Sequence, residues 1–308
     1  MIKLKGRGGV RLDKFLADNV ENFSRSKLQK LIKDGAVRVN GDDVKAKFVL
    51  SEGDRVEIEA NVESLVDIVP EDLNLVVMHE TDDYMVVNKP AGMVVHPSGS
   101  DNRTGTVVNA VMGKVKVSEF EDEMRPGIVH RLDKETSGLM VIAKNKKAYD
   151  YFIELFKERR IVKKYLTLVR GILDFKEGVI DSPIARDGVS RKRMAVMTNG
   201  KIAITKYQVL EEFRLGKGVD LSLLDISLET GRTHQIRVHM AAVGCPVVGD
   251  NVYGMSSFNR KFEGEYGLKR QFLHAAELEF VDLDGKEIKI KSPLPEDLDL
   301  ILNELRSF

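Results

Sequence analysis

Ile128-Val-His-Arg-Leu-Asp-Lys-Glu-Thr-Ser-Gly-Leu-Met-Val-Ile-Ala-Lys-Asn145 is the stretch around which the chain is organised. His130, Arg131, Asp133, Lys134 and Glu135 place five ionisable groups in six positions. Thr136, Ser137 and Gly138 follow as turn formers, and Leu139-Met-Val-Ile142 then runs apolar. A charged, glycine-ended turn feeding a buried strand holds a reactive side chain rigidly at a cleft edge. Asp133 is the candidate for that side chain. Cations at Arg131 and Lys134 would favour its ionised form if they point to its side.

Two look-alikes fall away on spacing. A protein-kinase catalytic loop needs His-Arg-Asp contiguous and an Asn five residues past the Asp. Here Leu132 intervenes, and position 138 is glycine. An aspartic protease needs two carboxylates sharing a site, and no second Asp turn of that kind occurs.

At 308 residues, 43% hydrophobic and 31% charged, the chain has the composition of an ordinary globular protein with room for two domains. No apolar run approaches the roughly 18–20 residues that span a bilayer. Met1-Ile-Lys-Leu-Lys-Gly6 lacks the apolar core of a signal peptide, so the cytoplasm is the expected location and no membrane partner is expected. Cys245 is the single cysteine, which excludes an internal disulfide and a cysteine-based metal cluster. Formal net charge is zero, yet residues 1–50 hold twelve Lys and Arg against six Asp and Glu. A basic end on a neutral chain suggests a module that touches nucleic acid.

In that basic end Leu12, Phe15 and Leu16 fall at helical spacing. Ser24 and Ser26 offer N-caps for a second helix with Leu28, Leu31 and Ile32 on one face and Arg25, Lys27, Lys30 and Lys33 mostly on the others. Gly35 ends it, Val37-Arg-Val39 extends as a strand, and Asn40-Gly41 makes a tight turn. Val56-Glu-Ile58 alternates as another strand. Residues 60–71 are polar, with a late Pro70, and form the linker.

Beyond it, Tyr84 to Pro97 predicts an apolar strand, a Pro/Gly turn and a second apolar strand. Lys89 and His96 stay open between structural and functional roles. Residues 148–158 carry Tyr151, Phe152, Leu155 and Phe156 at helical spacing, a core face. Lys163 to Gly171 predicts a strand with Tyr165 and Thr167 on one face. Arg191, Lys192 and Arg193 form a run of cations suited to phosphates in an exposed loop. His234 and His239, five apart, sit on different faces of a helix and lack the spacing of a zinc helix, so no metal is expected.

His130-Arg-Leu-Asp133, with Thr136-Ser-Gly138 and Ala143-Lys144 behind it, resembles the signature of the RluA-type pseudouridine synthases. Lys89, Pro90, Gly92, His96 and Pro97 match the segment that precedes that signature. The Arg-Lys-Arg-Met loop at 191–194 is similar to one in the family, and Gly231 to His239 matches its second long motif. Gly249-Asp-Asn-Val-Tyr-Gly254 and Phe272-Leu-His-Ala275 complete the pattern. Val281-Asp282 departs from the His-Pro common in relatives. The amino-terminal order, with Ser24-Arg-Ser26, Leu31-Ile32, Gly35 and Val37 to Gly41, resembles the small RNA-binding module named after ribosomal small-subunit protein four.

The resemblance implies an α+β chain: a small basic RNA-binding domain at 10–60, a linker at 61–71, and a catalytic domain at 72–308 with a mixed, largely antiparallel sheet, flanking helices and a central cleft. It implies isomerisation of uridine to pseudouridine in RNA, foremost large-subunit ribosomal RNA, by a monomer without cofactor. Asp133 would be the catalytic carboxylate acting at C1′, by a covalent adduct or through a glycal. Tyr165 would stand near the proton transfer, and Arg237 would orient Asp133 with a bidentate fork. His130, Arg131, Arg191, Lys192, Arg193, Arg25, Lys27 and Lys30 would bind substrate RNA. The alternatives are a non-catalytic RNA-binding or ribosome-assembly protein, or the same chemistry on transfer RNA. A carboxylate glycosidase would want a second catalytic acid across the cleft and leaves the basic module unexplained.

Overall fold

A computed structural model describes residues 2–20, 25–59, 69–97, 104–120, 122, 124–188, 190, 193–216 and 219–307, with the backbone alone at 25–27 and 30. The chain divides into two compact units, residues 1–69 with 116–126 and residues 70–115 with 127–308.

In the first unit β1 (Ile2–Lys5), α1 (Leu12–Asn19), α2 (Arg25–Lys33), β2 (Val37–Val39), β3 (Asp42–Asp43) and β4 (Arg55–Ile58) follow in order. The strands form an antiparallel sheet in the order β1-β4-β2-β3. Leu12, Leu16, Leu28 and Leu31 from the helices pack with Val37, Val39, Val56 and Ile58 from the sheet. Asn40 and Gly41 both take positive φ, 55° and 92°, the handedness that a two-residue hairpin turn requires. Buried Asp13 receives Arg11 at 3.0 and 2.8 Å and Gln29 at 3.0 Å. The N-cap expectation for Ser24, the Ser26 side chain and most of the linker lie outside the described residues.

The second unit comprises β5 (Val76–Glu80), β6 (Tyr84–Lys89), α3 (Val107–Val111), β7 (Ser137–Ala143), α4 (Lys146–Lys157), β8 (Val162–Arg170), β9 (Glu177–Asp181), β10 (Ile184–Arg186), β11 (Met194–Val196), β12 (Ile204–Arg214), β13 (Asp220–Leu228), α5 (Gln235–Ala242), α6 (Ser256–Tyr266), β14 (Leu273–Val281), β15 (Glu287–Lys291) and α7 (Glu296–Arg306). Its main sheet runs β5-β6-β7-β14-β8-β13-β12-β9, with β15 also on β14. Strands β7 and β14 pair parallel, and the other ladders of this sheet are antiparallel. Mixed and largely antiparallel is therefore the observed architecture.

Helices cover it. Phe152 and Leu155 of α4 pack with Tyr84, Val141 and Phe280 of the sheet. Phe262 of α6 and Leu298, Ile301, Leu302 and Leu305 of α7 pack with Phe213, Leu221 and Leu223.

One expectation fails here. The second apolar strand after the Pro90–Gly92 turn does not form: Val94 makes a single bridge, to Thr106. Fully buried Lys89 explains this, because its Nζ donates to the carbonyls of Pro90 (2.8 Å) and Met93 (2.9 Å). These bonds fold the chain back on itself, and β6 finds its partners in β5 and β7 instead.

Candidate active site

The segment entering β7 doubles back along it. Ala143 N–H donates to Gly127 O at 2.9 Å, and Ile128 bridges Ile142, so residues 131–136 form the tip of a narrow loop. Asp133 sits on that tip. Lys134 O accepts from Lys89 Nζ at 3.0 Å and from Gly92 N–H at 2.9 Å. From the other direction Gln271 Nε2 donates to Thr136 Oγ1 at 2.7 Å, and Ser137 Oγ meets His274 Nδ1 at 2.9 Å. Gly138 completes the clamp. With φ at 119°, it stands where a Cβ would lie 2.3 Å from Ala275 O.

Asp133, Tyr165 and Arg237 come together as walls of one open cleft of about 360 Å³, shared with Arg131, Arg232, His234, Leu228 and Leu273. Tyr165 reaches it from β8, where it pairs with Ile226 of β13 and Ala275 of β14. Burial, with the Asp133 charge, raises the pKa of the Tyr165 phenol and so keeps it un-ionised.

The cation that meets Asp133 is Arg237, whose Nη1 lies 2.9 Å from Asp133 Oδ2. The expected bidentate fork onto Asp133 is corrected by the structure. Nε and Nη2 of Arg237 grip Asp250 instead, at 2.7 and 2.9 Å, and Nη1 alone reaches Asp133. Burial opposes the Arg237 charge, but Asp250 and Asp133 outweigh it and raise its pKa. Burial likewise pushes Asp250 up, and Arg237 with the N–H groups of Tyr253 and Val252 holds it down. Arg131 lines the cleft, while Lys134 is exposed and contributes its backbone carbonyl.

His130 has a different neighbourhood from the RNA-facing one expected of it. Its Nε2 accepts the N–H of Val141 at 2.9 Å, and its ring lies 4.7 Å from that of Phe156. Burial, with Lys163 nearby, lowers its pKa to about 3, so it stays a neutral acceptor. Arg193 is exposed, with its guanidinium 5.3 Å from the Tyr253 ring. Arg191, Lys192 and the side chains of Arg25, Lys27 and Lys30 lie outside the described residues.

Residue roles at 250, 253 and 234 were not foreseen. Asp250 sits between two glycines that permit close backbone approach: a Cβ on Gly249 would lie 2.1 Å from Arg270 O, and one on Gly254 would lie 2.4 Å from Asp250 O. That spacing was the available signal. His234 Nε2 lies 3.8 Å from Asp133 Oδ1.

The model of the RNA pseudouridylate synthase family matches residues 83–242, which contain Asp133, Tyr165 and Arg237, and the S4 domain model matches residues 10–56. The chain belongs to the RNA pseudouridine synthase family. An uncharacterized RNA pseudouridine synthase of Bacillus subtilis is 41% identical over 96% of this synthase and 94% of its own length. A protein of Xanthomonas campestris named ribosomal large subunit pseudouridine synthase D is 39% identical over 97% and 89%. Among solved structures, human RNA pseudouridylate synthase domain containing 4 is 28% identical, with a TM-score of 0.58 over 75% of this synthase and 93% of that chain. The synthase is thus an enzyme that isomerises uridine to pseudouridine in RNA, with an S4 domain at its basic end. Among the described residues no helix is long and apolar enough to cross a membrane.

Proposed function

We propose that this synthase modifies uridines of large-subunit ribosomal RNA, with Asp133 as the reacting carboxylate. The observation that carries the site is the Asp133–Arg237 contact of 2.9 Å at the wall of a cleft that Tyr165 also lines. The substrate follows the relatives named ribosomal large subunit pseudouridine synthase D, which match 97% of this chain.

The target base leaves its stack to enter the cleft. Asp133 acts at C1′ while the N1–C1′ bond breaks; uracil turns, C5 bonds to C1′, C5 loses its proton and N1 gains one. Substrate and product are isomers, so the balance requires no cofactor or metal. Arg237 pairs with Asp133 and aims it. Tyr165 borders the proton transfer as a neutral phenol. Residues 10–60 form the RNA-binding domain and 61–71 the linker to a catalytic domain at 72–308. Arg25, Lys27 and Lys30, with Arg191, Lys192 and Arg193, hold phosphates and make binding salt-sensitive. Arg131 contacts substrate directly from the same loop, and His130 braces that loop through Val141. The enzyme works as a cytoplasmic monomer.

Tritium release from RNA labelled at uridine C5 tests this, comparing wild type with Asp133→Asn. Release from large-subunit RNA by wild type alone is the expected result. Release from transfer RNA only would move the substrate. No release from free RNA or from ribosomal particles would favour an assembly factor.

A further inference from the structure

His234 occupies a position that helix capping does not explain. It precedes α5 with φ 57° and ψ 21°, a left-handed conformation for a non-glycine residue, and its side chain makes no capping hydrogen bond. Such conformations persist where the surroundings impose them, and they gather at functional sites. Here the ring is turned into the cleft, with Nε2 beside Asp133 Oδ1 at 3.8 Å, beyond hydrogen-bond reach.

Its other nitrogen is already engaged. His234 Nδ1 lies 2.8 Å from the Tyr253 hydroxyl, which itself accepts the backbone N–H of Met194 at 2.8 Å. A phenol oxygen that accepts from Met194 has its own hydrogen to give, and among the described residues His234 Nδ1 is the acceptor in place. The imidazole proton then resides on Nε2. Met194 begins β11, directly after Arg193, and the Tyr253 ring lies 5.3 Å from the Arg193 guanidinium and 5.1 Å from that of Arg237. Tyr253 therefore joins the base of the cationic loop to the cleft.

We propose that His234 contacts the target nucleotide as a neutral donor, its Nε2–H aimed at a nucleotide oxygen beside Asp133, and that Tyr253 is the positioning residue that holds this tautomer. The groups facing His234 are Asp133 on the catalytic loop, Arg131 on the same loop, Arg237 on α5, and Asp250 and Tyr253 on the 249–254 turn. Burial, aided by Arg237 and Arg131, lowers its pKa, against the opposing charges of Asp133 and Asp250. The neutral form is favoured on balance.

The tautomer is measurable without turnover. Nitrogen NMR of the full chain labelled at histidine, with His234 assigned through its loss in His234→Gln, should give the Nε2–H pattern near neutral pH. An Nδ1–H pattern or a charged imidazolium overturns the proposal. In kinetics, His234→Ala should lower kcat by about a hundredfold while KM for RNA stays near wild type. His234→Gln, which returns an N–H donor close to the Nε2 position, should recover part of that loss. Equal loss in both variants, or a loss confined to KM, overturns the donor role.

Tyr253→Phe keeps the ring and removes the hydroxyl. A hydrogen bond to Nδ1 stabilises the neutral imidazole, so its loss lets Asp133 draw a proton onto His234. The acid limb of kcat should move to higher pH; an unmoved limb overturns the role of Tyr253. The inference rests on Asp133 as the reacting carboxylate. Activity in Asp133→Asn would sink that reading, whereas an inactive Asp133→Asn beside a fully active His234→Ala would sink this one alone.

Discussion

Arg237 gives two N–H groups to Asp250, at 2.7 and 2.9 Å, and a single one to Asp133, at 2.9 Å. The planar fork is spent on Asp250, away from Asp133. Asp250 is 1% exposed and also accepts from Val252 and Tyr253 N–H, so it is a fixed anchor. Fixing Nε and Nη2 aims Nη1 at Asp133 Oδ2 alone.

Removing the anchor should therefore cost both folding and turnover. Asp250→Ala leaves a buried guanidinium half unpaired, and breaking such a pair costs about 3–5 kcal/mol. Denaturant unfolding reads the first effect and tritium release the second. Arg237→Lys should be inactive while folding better than Asp250→Ala, because one ammonium cannot serve both carboxylates. Wild-type unfolding of Asp250→Ala would refute the anchor.

Gly138 is where β7 and β14 come together in parallel, opposite Ala275. Gly138→Ala would set a Cβ within 2.3 Å of Ala275 O and 2.6 Å of Ala275 N. Backbone must move on both strands, so destabilisation should exceed about 2 kcal/mol. Thermal unfolding of Gly138→Ala against wild type measures it, and a shift within experimental error would show that the strands can part.

Tyr165 is 8% exposed, and burial with the Asp133 charge raises its pKa above the ordinary tyrosine value. It is thus a neutral phenol throughout the working range. Tyr165→Phe should preserve RNA affinity and lower kcat by about a hundredfold or more. The alkaline limb of wild-type kcat should not be lost in that variant, since the phenol does not supply it.

Lys89 donates to Pro90 O, Met93 O and Lys134 O at 2.8, 2.9 and 3.0 Å. Lys89→Met leaves these carbonyls without that donor, a cost of about 1–3 kcal/mol. Burial lowers Lys89 to about 7, against Glu135 and Asp133, which favour its charge. An unfolded lysine keeps its proton to about pH 10.4. Between these values the unfolded chain binds the extra proton, so stability rises with pH there. The wild-type advantage over Lys89→Met should widen as pH climbs through that window; a constant difference in unfolding free energy would contradict it.

Much of the local structure was legible because it is encoded within a few residues. The apolar run after Gly138 is strand β7, buried throughout. Residues 146–157 are the helix whose Phe152 and Leu155 enter the core. Asn40-Gly41 makes its turn because both residues accept positive φ. Local spacing did not give the cation for Asp133; the resemblance of the second motif did, in naming Arg237. Arg131 and Lys134 adjoin it in sequence, yet the contact comes from Arg237, 104 positions away. His130 stands in the signature itself and spends its Nε2 on Val141 N–H.

The sequence by itself determined the chemistry available: a carboxylate on a charged, glycine-ended loop, a tyrosine on a strand, an arginine in a second motif and a basic module ahead of them. Residue identity and short spacing carry that information. Only the tertiary structure decided how those groups meet. Strand β14 lies between β7 and β8, bringing Gly138 and Tyr165 to the same residue, Ala275, and the 249–254 turn directs the Arg237 fork. Those relations depend on sheet order and on packing between distant segments, which no local periodicity records.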